Sequence, residues 1–219
     1  MIRRGFFIVF EGVNNAGKST IGREVHRLLS IALGRDKLME DFIECPHATV
    51  FAESLHQAIL TSKERIYPSQ RFGAYLTGIK HAWDTILYPP LEGGQIVVCS
   101  RWVTSTIAYA AMKSEKEHIH TSYARQAKNF MGAGFLPDLQ IRLSVDYKTY
   151  YSRLEEGDRK YPAVFFNQLR HSYDATEEAI ARITGRTFDY CEYSGALDFD
   201  PIVKNITQLI LDKIEAKEE

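Results

Sequence analysis

The chain has 219 residues, with 27 basic and 28 acidic side chains and a formal net charge of −1. At 45% hydrophobic and 12% aromatic residues it can bury a substantial core, which excludes disordered and collagen-like classes. A near-zero charge gives no overall pull toward nucleic acid or an anionic membrane, so any phosphate must be met by a few placed cations.

In chain order, the N-terminal residues Met1–Phe10 carry basic then apolar positions, but the apolar run stops at Glu11, too short for an export segment. No stretch approaches the ~18 apolar residues of a membrane span. Cys45, Cys99 and Cys191 lie far apart and read as reduced thiols, Cys99 and Cys191 within apolar or aromatic runs. The expectation is a cytoplasmic, soluble protein that engages neither nucleic acid nor membrane.

Short runs rich in β-branched and aromatic residues predict strands at Phe6–Phe10, Leu38–Ile43, Gln95–Cys99, Leu139–Val145 and Thr187–Tyr193. Between them, Ile21, Val25, Leu28, Leu29 and Ala32 recur at helical spacing, with Gly34 as a stop. Ser69 is a suitable N-cap for a long helix through Phe72, Leu76, Ile79, Trp83 and Leu87, ended by Pro89-Pro90. Further helices are predicted at Thr104–Met112, His118–Met131, Tyr147–Leu154, Val164–Arg182 and Pro201–Ile214. Strand–helix alternation of this kind predicts an α/β fold, a five-stranded parallel sheet with helices on both faces in a three-layer sandwich. With no repeat, linker or composition break, residues 1–219 read as one domain.

Gly12-Val13-Asn14-Asn15-Ala16-Gly17-Lys18-Ser19 fits the phosphate loop G-x-x-x-x-G-K-[ST] in full, a match that chance gives in about 1% of chains this long. Glycines let backbone N–H groups close around phosphate oxygens, Lys18 reaches the outer phosphates, the Ser19 hydroxyl serves Mg²⁺, and the helix dipole adds to both. The GTPase signatures Asn-Lys-x-Asp and Asp-x-x-Gly are absent from the sequence. Leu91-Glu92-Gly93-Gly94-Gln95 is similar to a transporter ATPase signature but runs into a strand, so Gly93-Gly94 reads as a turn.

Several motifs in order then give a resemblance. Phe7-Ile8-Val9-Phe10-Glu11-Gly12 enters the loop; Ser100-Arg101-Trp102 follows the third predicted strand; Ser105, Ala108 and Tyr109 form Ser-x-x-Ala-Tyr. Pro137-Asp138 precedes the fourth strand, Arg153-Leu154 opens a polar segment, and Phe165-Phe166-Asn167, Arg170 and Tyr173 close it. In these features the chain resembles the thymidylate kinase family of P-loop nucleoside monophosphate kinases.

The resemblance implies ATP- and Mg²⁺-dependent phosphorylation of a deoxynucleoside monophosphate, dTMP first, by a homodimer. It implies a lid at about 153–164, where Arg153, Arg159 and Lys160 supply charge. Lys18, Arg101 and Arg159 are the implied catalytic cations. Gly12, Asn15, Ala16, Gly17, Lys18, Ser19, Thr20, Arg153, Gly195 and Ala196 would hold ATP, and Ser19 the metal. Asn14, Phe42, Tyr75, Arg101, Ser105 and Tyr109 would hold the acceptor, with Tyr75 either stacking on the base or belonging to the apolar stripe of its helix.

Five departures bear on this. Ser100 stands where the family has aspartate. Glu44-Cys45-Pro46 stands for Arg-Glu-Pro, so that either Glu44 supplies the carboxylate with a one-residue slip or the arginine is replaced by acid. Asn14 replaces an acid and Asn15 an arginine, and Ile79 lies where a thymine-reading arginine belongs, with Lys80, His81 and Arg71 nearby. Two other readings are a deoxynucleoside kinase, which needs a carboxylate base near the acceptor hydroxyl, and a nucleotide-binding module with impaired turnover.

Overall fold

The computed structural model describes residues 5–112, 118–155, 160–185, 190–194 and 199–218. Phe6–Glu11 forms β1, buried along its whole length. Its alternation sends Phe6, Ile8 and Phe10 to one face and Phe7 and Val9 to the other, as the two-residue period of a strand requires. A strand buried on both faces belongs at the centre of a parallel sheet. That is where it lies: the order is β2-β3-β1-β4-β5, all pairs parallel, with β2 at Ile43–Glu44, β3 at Ile96–Ser100, β4 at Leu139–Ser144 and β5 at Tyr190–Ser194.

The expected parallel α/β sheet with helices is thus present, as four strands of five or six residues and one two-residue edge. The second strand is shorter than the predicted Leu38–Ile43. Leu38 makes a single bridge to Ile96, the exposed Glu40 and Asp41 then turn to solvent, and the ladder resumes only at Ile43. Of the fifth predicted strand, residues 187–189 lie outside the described residues.

Helix α1 (Lys18–Leu33) covers one face of the sheet with Ile21, Val25 and Leu29, alongside the C-terminal Phe199–Glu218 helix through Ile206 and Ile210. A helix the sequence did not signal, α2 (Val50–Thr61), follows β2, capped by Thr49 Oγ1, which accepts from Ala52 N at 3.0 Å. On the other face lies α3 (Pro68–Ala82), whose Phe72, Leu76 and Ile79 pack toward Val9, Val97 and Cys99. Its N-cap is Tyr67, not Ser69: Pro68 opens the helix and Gln70 Oε1 accepts from Tyr67 N at 2.8 Å.

Pro89-Pro90 does not end this helical run. A π-helical turn, Trp83–Leu87, leads into α4 (Tyr88–Glu92), where the prolines occupy a first turn and their missing N–H groups cost nothing. Trp83 packs between Phe7 and Trp102, at ring-centroid distances of 5.6 and 6.0 Å. Gly93-Gly94 makes the turn into β3, with Gly94 at φ +92°. Helices α5 (Val103–Ala111) and α6 (Ile119–Met131) follow β3; α7 (Tyr147–Ser152) and α8 (Ala163–Thr184) follow β4; α9 is Phe199–Glu218. Cys45 and Cys99 are free and buried, and burial pushes the Cys99 thiol up. Among the described residues no helix is long and apolar enough to cross a membrane.

Helix α8 is tied to the sheet by Arg142, buried on β4, which reaches Asp174 at 2.6 Å and Glu177 at 3.0 Å. Burial pushes the Glu177 carboxyl up to about 7 against the pull of Arg142. Since this lies above the ordinary value of 4.5, the folded state binds the extra proton between the two. Glu177 therefore supports stability fully below that ordinary value, and its contribution is lost as pH rises through about 7. Glu177→Gln should flatten that decline, read by thermal melts at about pH 5 and pH 8; an unchanged slope would mean that Arg142 keeps the carboxylate ionised throughout.

Candidate active site

The loop between β1 and α1 requires its glycines. Gly12 sits at φ +135°, and a Cβ there would come within 2.2 Å of Leu143 O. Gly17 at φ +93° turns the chain into α1 so that the first N–H groups of a 16-residue helix face the loop. Lys18 is buried, its Nζ donating to Val13 O at 2.6 Å. Burial, helped by the nearby Arg101 charge, lowers its pKa well below the usual lysine value. A buried ammonium held without a carboxylate hydrogen bond is matched to an anionic ligand.

At the carboxyl end of β3, Arg101 takes a left-handed backbone, φ +62°, its N donating to Phe10 O at 2.8 Å. Its guanidinium donates to Asn14 Oδ1 and, at 3.4 Å, to Gly12 O, and lies 5.6 Å from the Tyr109 ring centroid. Tyr109 also donates to Asn14 Oδ1, at 2.9 Å. The Asn14 amide oxygen, expected to serve the acceptor sugar, joins the loop to Arg101 and Tyr109.

Glu11 anchors this assembly from below. It is fully buried and accepts from Trp102 N at 2.8 Å, from Ser105 N at 3.1 Å and from the Ser105 hydroxyl, so its carboxylate takes up N–H groups at the start of α5. Tyr173 of α8 donates to Gly12 O at 2.9 Å. Sequence reading used Glu11 as the end of an apolar run and within the motif entering the loop, and Tyr173 within the motif closing the lid segment, and assigned neither to the site. The signal was present: a charge closing an apolar run, immediately before a phosphate loop, is seldom buried unless it has work to do.

Two cavities meet at this network. One, of about 340 Å³, is lined by Lys18, Ser19, Thr20, Glu44, Ser100 and Arg101 among others. The second, of about 700 Å³, extends from Ser105 and Tyr109 toward Tyr75, Phe72 and Ile79. Asn14, Cys45, His47 and Arg101 line both. Tyr75 therefore faces the larger cavity, its hydroxyl 2.9 Å from His56 Nδ1 on the unpredicted α2. Ile79 is buried in the cavity wall. Of the three groups considered as substitutes for a base-reading arginine, Arg71 lines the cavity, whereas Lys80 pairs with Asp84 and His81 lies 3.2 Å from Thr49 Oγ1.

Other expected residues fare differently. Phe42 packs against Phe10 and under Gly22, where a Cβ would meet its ring at 2.6 Å, so it lines neither cavity. Its place is the core beneath α1. Arg153 reaches the loop, donating to Asn15 O at 3.3 Å and accepting from Asn15 Nδ2 at 3.4 Å. Tyr161 and Phe165, stacked at 4.4 Å, close the larger cavity from the segment that follows, while Lys160 is exposed and lines neither cavity. Arg159, Gly195 and Ala196 lie outside the described residues.

The family model described as thymidylate kinase matches residues 10–186. The chain belongs to the thymidylate kinase family. Curated relatives in this family include the thymidylate kinase of Enterococcus faecalis, 30% identical over 181 residues that span 78% of this chain and 81% of that one. That of Nitrosomonas eutropha is 26% identical over 178 residues, 78% of this chain and 79% of its own. The crystal structure of thymidylate kinase from Ehrlichia chaffeensis superposes with a TM-score of 0.67 over 94% of this chain and 98% of that one, at 17% identity, and shows the shared fold. As a thymidylate kinase family member, the chain is a nucleoside monophosphate kinase by class, and the two joined cavities are where its two nucleotides are to be sought.

Proposed function

We propose that this chain transfers the γ-phosphoryl group of ATP to dTMP, giving dTDP and ADP. The observation that carries the reading is the junction of the two cavities at Arg101, one walled by a phosphate loop and the other by aromatic and apolar side chains. ATP phosphates in the smaller cavity meet the α1 N–H groups and Lys18, and the acceptor nucleoside fills the larger one. Its phosphate is thereby brought to Arg101, whose fork suits two phosphate oxygens. Ser19 and Glu44 of the smaller cavity are residues that would hold a magnesium ion with the nucleotide, and such an ion would supply charge neutralisation for phosphoryl transfer. Lys18 and Arg101, fixed by Val13 O and Asn14 before substrate arrives, stabilise developing charge without reorganising.

Tyr161 belongs to the proposed lid, about 153–164, and stacks on Phe165 just beyond it; with Arg153 and Arg159 the lid shuts water from the transfer. Residues 1–219 act as one domain in this reading, in the cytoplasm. We also propose a homodimer; the α3 stripe Phe72, Leu76 and Ile79 is already consumed in the core, so an interface draws on other surface.

The alternative of phosphorylating a sugar hydroxyl is disfavoured by one observation. No carboxylate lines the larger cavity among the described residues, so a hydroxyl acceptor there would lack the carboxylate base that reading calls for. A phosphate acceptor needs none. An acceptor screen with ATP and Mg²⁺ tests the choice: turnover is expected with dTMP and none with thymidine. Turnover confined to nucleosides would overturn the monophosphate reading, and nucleotide binding with no turnover on any acceptor would overturn the catalytic one.

A further inference from the structure

A phosphate-loop magnesium is generally held by the loop Ser or Thr together with a carboxylate at the end of a neighbouring strand. In this chain the neighbouring strand β3 ends in Ser100, buried and uncharged. The charge is one strand further out. In the parallel ladder the register partner of Ser100 is Glu44, and Cys45 N donates to Ser100 O at 3.0 Å, fixing the end of β2 against β3. Glu44 is the one carboxylate among the described residues that line the smaller cavity, which it shares with Ser19 and Lys18.

One of its oxygens is unusual. Glu44 Oε1 is closed to solvent and makes no hydrogen bond. Arg23 Nη2 lies 3.1 Å away, but its side chain is 64% exposed, so this is a surface charge resting on an enclosed acceptor. The Arg23 contact lacks hydrogen-bond geometry and both side chains reach solvent, so this oxygen keeps lone pairs to give to a cation in the cavity. Mg²⁺ asks for little protein: one or two carboxylates, with phosphates and retained waters completing its octahedron. The described residues hold no cluster of three or more His, Cys, Asp or Glu suited to a metal, so a cage made of protein alone is not on offer.

We propose that Glu44, from the edge strand, is the carboxylate that holds the magnesium of the bound nucleotide, in the role left open at Ser100. This rests on the reading that an ATP–Mg complex binds the phosphate loop. It resolves the ambiguity at Glu44-Cys45-Pro46 in favour of a working acid rather than a lost arginine.

The test uses Mn²⁺ as probe, by electron paramagnetic resonance on the full chain with a non-hydrolysable ATP analogue and no acceptor. Glu44→Gln should weaken Mn²⁺ binding in the ternary complex about ten- to a hundredfold, the loss typical of groups that support a metal site. Binding of the analogue in EDTA should be unchanged. Adding Ser100→Asp should restore most of the Mn²⁺ affinity, and Arg23→Ala should leave it equal or tighter. Unaltered Mn²⁺ affinity in Glu44→Gln would overturn the proposal. So would an equal loss of the metal-free analogue, or an Arg23→Ala loss as large as that of Glu44→Gln. A wild type that binds no Mn²⁺–analogue complex overturns it together with the phosphate-loop reading. Because no dTMP enters the measurement, failure in the acceptor screen and failure here are separate results.

Discussion

Lys18→Met should lower kcat by about 10²–10³-fold or more while leaving the ligand-free protein at least as heat-stable as the wild type. The two effects share one cause. Burial disfavours the Lys18 ammonium, so its folded pKa lies below the usual 10.5. A lysine whose pKa is lowered on folding opposes folding below that folded value, and the penalty fades as pH rises to the unfolded value. Methionine keeps the stem and drops the charge, removing the penalty together with the contact to the transferring phosphate. The stability gain should shrink toward alkaline pH, and ATP should raise the melting temperature of the wild type more than that of the variant. Steady-state rates with thermal melts across pH check this; wild-type turnover, or a variant that melts lower at neutral pH, would refute the assignment.

The second large effect lies one residue before the loop. Glu11→Ala leaves the buried Trp102 N and Ser105 N without their acceptor, while the Ser105 hydroxyl keeps Tyr173 Oη at 2.8 Å. At about 1–3 kcal/mol for each such donor, and with some relaxation, the cost is about 3–5 kcal/mol. In a domain of this size that lowers the melting temperature by about 10 °C. Glu11 is a positioning residue, because it acts through the backbone beside Arg101. The surviving folded fraction should therefore show a raised KM for dTMP out of proportion to any change in KM for ATP. A purely structural role would change both alike or neither. Denaturant unfolding and two-substrate kinetics read the two parts.

Fold and site were legible in the sequence to different depths. The central strands were readable because Phe6–Phe10 and Ile96–Cys99 are apolar on both faces, and a run of that kind has few other places to go. The phosphate loop was readable because its chemistry is local: Gly12, Gly17, Lys18 and Ser19 lie within eight residues. Helix α2 escaped because its burial depends on α3, with only Ala52 and Ile59 buried along its length. Pro89-Pro90 was read as a stop because propensity alone cannot anticipate a π-helical turn that restarts the first-turn register. The Asn14 oxygen was assigned to the sugar alone because nothing in one dimension shows that Arg101 and Tyr109, roughly ninety residues on, arrive there too. Phe42 was assigned to substrate for the converse reason: only in three dimensions does Gly22 open a socket for its ring.

Helix α2 has a consequence beyond its own packing. It rests on α3 and contributes His56 to the far wall of the larger cavity, opposite the end where Glu11, Asn14, Arg101 and Ser105 interlock. In the proposed function, choice of base and transfer of phosphate fall to separate parts of the chain. On that reading, substitutions at His56 should change which nucleobase is admitted while the interlocked end keeps its geometry.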